Sequence, residues 1–222
     1  METLAELEDE ILTIIDDESF SLANVTGYLN KAMKEISGRF LLPELQTNAN
    51  VVTTALNYVA LPTTFQRNLF YCYSTTQSRE IPIMSDFRHI LRDVSVIDQG
   101  GNVFAVAVRG SNLHYQRIPS VFETLQIHFY KKPTELSTAS TAGTPSCIPD
   151  HLVRPLLVNY VCKEIFSLIE QDQSGARPNR DFHYSLYQEA LADLSLFLGP
   201  EPSFAPGMGA GIDWGLEAYG GY

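Results

Sequence analysis

Leu125-Gln126-Ile127-His128-Phe129 alternates apolar and polar side chains without interruption. Period two places Leu125, Ile127 and Phe129 on one face of a strand and Gln126 and His128 on the other, the signature of a half-buried strand. The same period governs the residues before it. Stretches 51–54, 58–61, 69–74 and 80–84 read as short strands, and 103–109 is nearly all apolar. Gly100-Gly101 and Gly110-Ser111 read as turns between strands, and a short helix over 86–93 interrupts the set. Short strands crowded into residues 47–133 predict a small β-sandwich or barrel.

On both sides of that segment the period changes to that of a helix. Leu4, Leu7, Ile11, Ile14 and Ile15 recur at spacings of three and four, one face of an amphipathic helix over 3–17. Ser21 is a good N-cap for a second helix reaching Gly38, with a stripe of Leu22, Val25, Leu29, Ala32, Met33 and Ile36. Leu42-Pro43 stops it. Beyond the β segment, 134–146 is small and polar and reads as a loop. Leu152, Leu156, Tyr160, Ile165 and Leu168 then fall at helical spacing, with Pro155 either kinking that helix or marking its first turn. Asn179 is placed to cap a last helix carrying Phe182, Leu186, Ala190, Leu194 and Phe197, closed by Gly199-Pro200.

The fold class is therefore α+β. Residues 1–46 and 134–200 supply the helices of one bundle, 47–133 an inserted β domain, and 201–222 an extended arm. The outer helices pack together because each apolar stripe needs a partner. The arm holds six of the fourteen glycines and the single tryptophan. Glycine at that density disfavours helix and strand alike. Ile212, Trp214, Leu216, Tyr219 and Tyr222 are large groups spaced along it, and anchors on an extensible tail suit docking into a partner's pocket. The alternative is an arm folded back on its own domain.

Of the 222 residues, 45% are hydrophobic and 18% charged, which excludes a disordered chain. No apolar run is long enough to span a bilayer, and the acidic start METLAELEDE is unlike a signal peptide. The net charge of −11 is concentrated at the ends. Residues 1–20 carry eight acids and no Lys or Arg, and 201–222 carry Glu201, Asp213 and Glu217 and no base, so the stretch between is neutral. A surface-bound DNA reader carries a basic stripe, and none is present.

The chemistry-bearing residues form no recognisable set. Cys72, Cys147 and Cys162 are few, odd in number and far apart, and read as small buried hydrophobes in a reducing compartment. His89, His114, His128, His151 and His183 include no HxxxH pair. His114 and His128 read as a polar pair on neighbouring strands rather than as metal ligands. Gly207-Met208-Gly209-Ala210-Gly211 is a poor candidate for a nucleotide loop, which must follow a strand and open a helix: only eleven residues remain after Gly211, and no Lys-Ser or Lys-Thr is present. Glu6, Glu8, Asp9, Glu10, Asp16, Asp17 and Glu18 read as a solvated helix face. No catalytic, cofactor or metal site is expected.

Taken in order, the local signals carry a resemblance. Tyr28-Leu29-Asn30-Lys31-Ala32 and Leu42-Pro43-Glu44-Leu45 follow the first helix. Leu61-Pro62-Thr63-Thr64-Phe65-Gln66-Arg67 and Ile127-His128-Phe129-Tyr130-Lys131-Lys132-Pro133 lie in the β segment. Ile148-Pro149 then precedes a helix with Leu156, Leu157 and Tyr160. Over about residues 10–198 this order is similar to the head-to-tail adaptor, or head-completion, proteins of tailed bacteriophages. The resemblance implies a structural virion protein in the neck, assembled from the host cytoplasm, with no catalytic residues. It implies a ring, usually of twelve copies, that joins the portal protein to the tail or nozzle and continues the DNA channel. It also implies that the arm, with Ile212, Trp214, Leu216, Tyr219 and Tyr222, docks on the portal. Twelve copies at −11 each would sum to about −132, which lets DNA slide through without specific binding. The turns Gln99-Gly100-Gly101 and Arg109-Gly110-Ser111-Asn112 are the candidates for contact with the tail. The rival readings are another neck or tail-tube protein and, in a different class, a hydrolase of unrecognised family.

Overall fold

The structure is a computed structural model that describes residues 2–17, 19–92, 99–140, 142–170 and 177–200. These fall into two compact units, a helical one (2–46 and 132–200) and a β one (47–131). Both helices and antiparallel strands are present, so the fold is α+β.

In the helical unit, α1 (Leu4–Ile15) opens on a capping box. The Thr3 N–H donates to Glu6 Oε2 at 2.8 Å and the Glu6 N–H donates to Thr3 Oγ1 at 3.4 Å. The helix ends where Asp16 turns left-handed at φ 47°. Ser21 caps α2 (Leu22–Arg39) in the same way, with Asn24 in place of the usual glutamate. Pro43–Leu45 then makes one 3₁₀ turn. After the β unit, α3 being within it, α4 (Asp150–Ile169) is apolar on nearly every side. Such a helix has to be central, and α1, α2 and α5 (Pro178–Leu198) all pack on it.

The sequence places some side chains on the wrong face. Ile14, Leu22, Leu168, Phe182 and Phe197 are exposed, and α5 instead buries His183, Tyr187, Ala190, Leu191 and Leu194. Burial of His183 and Tyr187 rotates the true stripe away from the one defined by Phe182 and Phe197. Pro155 lies in the second turn of α4, which starts at Asp150, so it stands inside the helix and does not mark its first turn. Asn179 does not cap α5. The helix begins at Pro178, and the buried Glu170 carboxylate accepts from the Asn179 and Arg180 N–H groups at 3.2 and 3.3 Å. A cap supplied from the preceding helix leaves no local signal.

In the β unit, one sheet has the order β1-β7-β3-β4 and the other β2-β6-β5. The strands are β1 (Gln46–Val52), β2 (Tyr58–Ala60), β3 (Phe65–Ser74), β4 (Arg79–Glu80), β5 (Ala105–Arg109), β6 (Asn112–Gln116) and β7 (Thr124–Lys131), with α3 (Phe87–Arg92) before β5. The core draws on both sheets. Val51, Cys72, Leu125, Ile127 and Phe129 from the first meet Val106, Leu113 and Tyr115 from the second. That is a sandwich.

Three boundaries depart from the sequence expectation for physical reasons. β3 begins at Phe65 rather than Leu69, because its register to β7 shifts twice around Asn68, which has φ 50°. A bulge there breaks the period of two. The stretch 80–84 is not one strand. Glu80 pairs with Tyr73 in one sheet, and Ile83 bridges Val106 in the other, with Pro82 at the crossing. β1 begins at Gln46, earlier than expected, because its polar residues alternate in burial without alternating in hydrophobicity.

Candidate interaction surfaces

The two turns singled out from the sequence lie at opposite ends of one hairpin. β5 and β6 pair from Ala105 with Gln116 to Arg109 with Asn112. Gly110-Ser111 closes the second end, with Gly110 at φ 60° as the first central residue of a two-residue turn. Gln99-Gly100-Gly101 lies past the first end. There the Ile118 N–H donates to Gln99 C=O, and the Gly101 N–H donates to Ile118 C=O, both at 3.0 Å. Gly100 thus bridges Ile118 and is not a hairpin turn. At Gly101, φ is 145° and a Cβ would stand 2.9 Å from the Arg117 side chain, so glycine is required.

Beside the Arg109 end, the Arg109 guanidinium lies 5.0 Å from the Phe87 ring, which in turn meets His114 at 4.5 Å. Ser85, Asp86, Phe87, Arg88, Val108 and Arg109 line a shallow hollow there. Two arginines and one aspartate leave its lining with a net charge of one positive. Burial, and then Arg109, push the His114 pKa down. His114 and His128 are not on neighbouring strands: β6 and β7 belong to different sheets. His128 packs edge-on against Tyr71 and Phe70 instead.

The most exposed large apolar pair among the described residues of the β unit was not singled out from the sequence. Val121 is 74% exposed and Phe122 58%, on the β6–β7 connection that also carries Ile118. The next residue, Glu123, is 2% exposed and holds that connection in place. Its carboxylate accepts from the Val103 N–H at 3.1 Å, the Ser74 hydroxyl at 3.1 Å and the Gln77 amide at 2.5 Å. Its own N–H donates to Thr53 Oγ1 at 2.8 Å. Arg79 Nε donates to Gln77 Oε1 at 2.7 Å, which brings a positive charge to the network at one remove. An apolar pair directly after Pro119-Ser120 was the available signal.

Acidic residues of α1 also divide by role. Glu8 is 3% exposed and accepts from the Thr26 hydroxyl, so it belongs to the core and not to a solvated face. Glu10 pairs with Arg154 at 2.6 Å. Cys72, Cys147 and Cys162 are free and buried, and burial pushes their thiols up to about 12, 11 and 12. Protonated at neutral pH, they are poor nucleophiles. Among the described residues no group of three or more His, Cys, Asp and Glu side chains is placed to hold a metal ion, and no helix is long and apolar enough to cross a membrane. Ile212, Trp214, Leu216, Tyr219 and Tyr222 lie outside the described residues.

No curated protein matches the chain. Against known families, residues 2–203 match the SU10 adaptor protein. That match runs through both units and nearly the whole chain, and the chain belongs to the SU10 adaptor protein family.

Proposed function

We propose that this phage structural adaptor forms a ring in the neck of the virion, joining the portal to the tail or nozzle and extending the DNA channel. The family match over residues 2–203 is the observation that carries the reading. The surface supports it. Exposed apolar side chains stand on α5, at Phe182, Leu196 and Phe197, and on the β6–β7 connection, at Val121 and Phe122. Separate apolar patches on separate units suit a protein with more than one partner. The C-terminal arm, with Ile212, Trp214, Leu216, Tyr219 and Tyr222, is the portal-side anchor.

Of the two turns at opposite ends of the β5–β6 ladder, one has an exposed apolar neighbour to share a tail contact. The Gln99–Gly101 end is favoured because the β6–β7 connection with Val121 and Phe122 bonds to it through Ile118. Sedimentation of the pure protein, and of the protein mixed with portal, tests the assembly. The expected result is a monomer or weak oligomer alone and a ring on the portal. A stable ring in the absence of portal overturns the order of assembly, and no association with portal overturns the adaptor role. A chain ending at Gly199 should fold and fail to stay on the portal.

A further inference from the structure

Two sheets present four edges, and three of them are covered or blunted against an added strand. On the β4 side, where β4 pairs only with Tyr73 and Ser74, the rest of β3 carries the charge of Arg67 and the bulge at Asn68. β4 has two residues and β2 has three, too short to template another strand. The outer side of β5 is occupied by the segment from Pro82 to Met84. The Val106 N–H donates to Pro82 C=O at 3.0 Å and the Met84 N–H donates to Val106 C=O at 2.7 Å. The fourth edge is β1, which ends its sheet and, among the described strands, has β7 as its neighbour. It runs for seven residues, Gln46–Val52, and contains neither a proline nor a charged residue. Ala49 and Val51 turn toward the core, while Asn48, Asn50 and Val52 are exposed. Folded proteins commonly blunt an edge with charge, proline or shortness. β1 has none of these.

The C-terminal arm contains a matching element. Ile212-Asp213-Trp214-Gly215-Leu216-Glu217 alternates large apolar residues with small or acidic ones. Period two puts Ile212, Trp214 and Leu216 on one face of an extended strand and Asp213, Gly215 and Glu217 on the other. Six residues is an ordinary strand length, and a strand of that length has no stability of its own in water. The spacer from 201 to 211, rich in Gly and Pro, is about twice the usual connection between elements. Fully extended, it spans up to about 40 Å. A connection of that length is reach, and reach is needed only for a surface that is not close by.

We infer that β1 is the acceptor edge for residues 212–217 of a second copy of this chain, which adds as a fifth strand beside β1. The inference rests on the arm leaving its own subunit, as the proposed function has it, and it reassigns Ile212, Trp214 and Leu216 from the portal to a neighbouring copy. Main-chain hydrogen bonds along β1 hold the strand, and the Ile212, Trp214 and Leu216 row supplies the side-chain burial. β1 is uncharged, so neither Asp213 nor Glu217 faces a like charge across the new pair. Tyr219 and Tyr222 lie beyond the paired stretch and remain free to reach the portal. Each copy donates one arm and accepts one, a head-to-tail contact of the kind that closes rings.

Trp214 is the only tryptophan, so the intrinsic emission of the full chain reports on the arm alone. The emission should move to shorter wavelength as protein concentration rises. The double substitution Asn48→Glu with Asn50→Glu alters exposed side chains and places acids opposite an acidic arm. It should raise the midpoint concentration by about tenfold or more and leave the far-ultraviolet circular dichroism unchanged. In parallel, Asn50→Cys with Gly215→Cys, treated with a short bismaleimide, should give covalent chain-to-chain products on a denaturing gel. An internal cross-link at monomer mass, with blue emission at every dilution, would mean the arm lies on its own subunit. That outcome overturns both this inference and portal docking. Emission that shifts only when portal is added, with no cross-link, overturns the β1 pairing and leaves portal docking intact.

Discussion

Among the described residues the helical unit buries Glu8 and Glu170 and the β unit buries Glu123. Glu170 caps α5, while Glu8 and Glu123 each join two elements and are held differently. In the helical unit Glu8 sits between α1 and α2 with the Thr26 hydroxyl as its described donor. In the β unit Glu123 gathers a backbone N–H, a hydroxyl and an amide from Val103, Ser74 and Gln77. Desolvating a carboxylate costs several kcal/mol unless donors replace water. Glu123 has enough donors to make its site a fixed joint, and what it fixes is the connection that displays Val121 and Phe122. Glu8 displays nothing and merely pins two helices whose apolar stripes already meet. Glu8 is an interior detail of its unit, whereas Glu123 supports an exposed surface.

The largest effects test whether both cores are closed. Phe129 is fully buried at the centre of the sandwich and packs against Phe65 at 5.2 Å between ring centroids. Phe129→Ala should cost about 3–5 kcal/mol. Leu29 is fully buried in α2, and Leu29→Ala should cost about 2–5 kcal/mol. Denaturant unfolding followed by far-ultraviolet circular dichroism measures both. A loss under about 1 kcal/mol at either position would mean that the corresponding core collapses around the cavity or is not closed at all.

A smaller pair of substitutions separates the carboxylates. Glu123→Gln presents an amide to a site built of donors, so at least one donor loses its acceptor. The expected cost is about 2–3 kcal/mol. Glu8→Gln keeps an oxygen for the Thr26 hydroxyl and should cost about 1 kcal/mol or less. Equal costs would abolish the contrast between a joint and a pin. If Glu123→Gln also weakens tail attachment while Val121→Ser with Phe122→Ser weakens it without loss of stability, the display role of the joint is sharpened.

The helices were legible because their signals are local. Thr3 with Glu6 and Ser21 with Asn24 close their caps within three residues, and the stripes of α1 and α2 repeat within one turn. Where a determinant came from another element, the sequence misled. Glu170 caps α5 from across a connection, and Glu8 is buried because Thr26 of the next helix meets it. α4 is apolar on nearly every side, so periodicity could not say which residues face outward, and Leu168 was misplaced. In the β unit, alternation found β7 and most of β3, but the bulge at Asn68 and the sheet change at Pro82 are long-range facts. The candidate turns were visible as glycines. That they stand at opposite ends of one ladder follows only from pairing β5 with β6.

The smallest expected effect compares one histidine in each unit. His183 is buried on α5, stacked on Phe166 at 5.5 Å, with Nδ1 2.9 Å from Asn159 Oδ1. The Asn159 amide nitrogen donates to Pro155 C=O at 2.8 Å, so its oxygen faces the ring and His183 Nδ1 is the donor. Burial pushes the His183 pKa below its ordinary value of 6.5. His114 in the β unit is lowered as well, by burial and then by Arg109. A histidine whose folded pKa lies below its unfolded one favours the native state at pH values above about 6.5. As pH falls through 6.5 the unfolded chain takes up the proton first, and stability declines until the folded pKa is passed. Each histidine contributes at most one proton, hence at most about 1.4 kcal/mol per pH unit. Stability measured between pH 7.5 and 5.5 should therefore decline in the natural chain. The decline should flatten in His183→Gln and flatten less in His114→Gln, because His114 is only half-buried. The opposite order would place the tighter histidine in the β unit, and unchanged slopes in both variants would assign the acid sensitivity to the carboxylates.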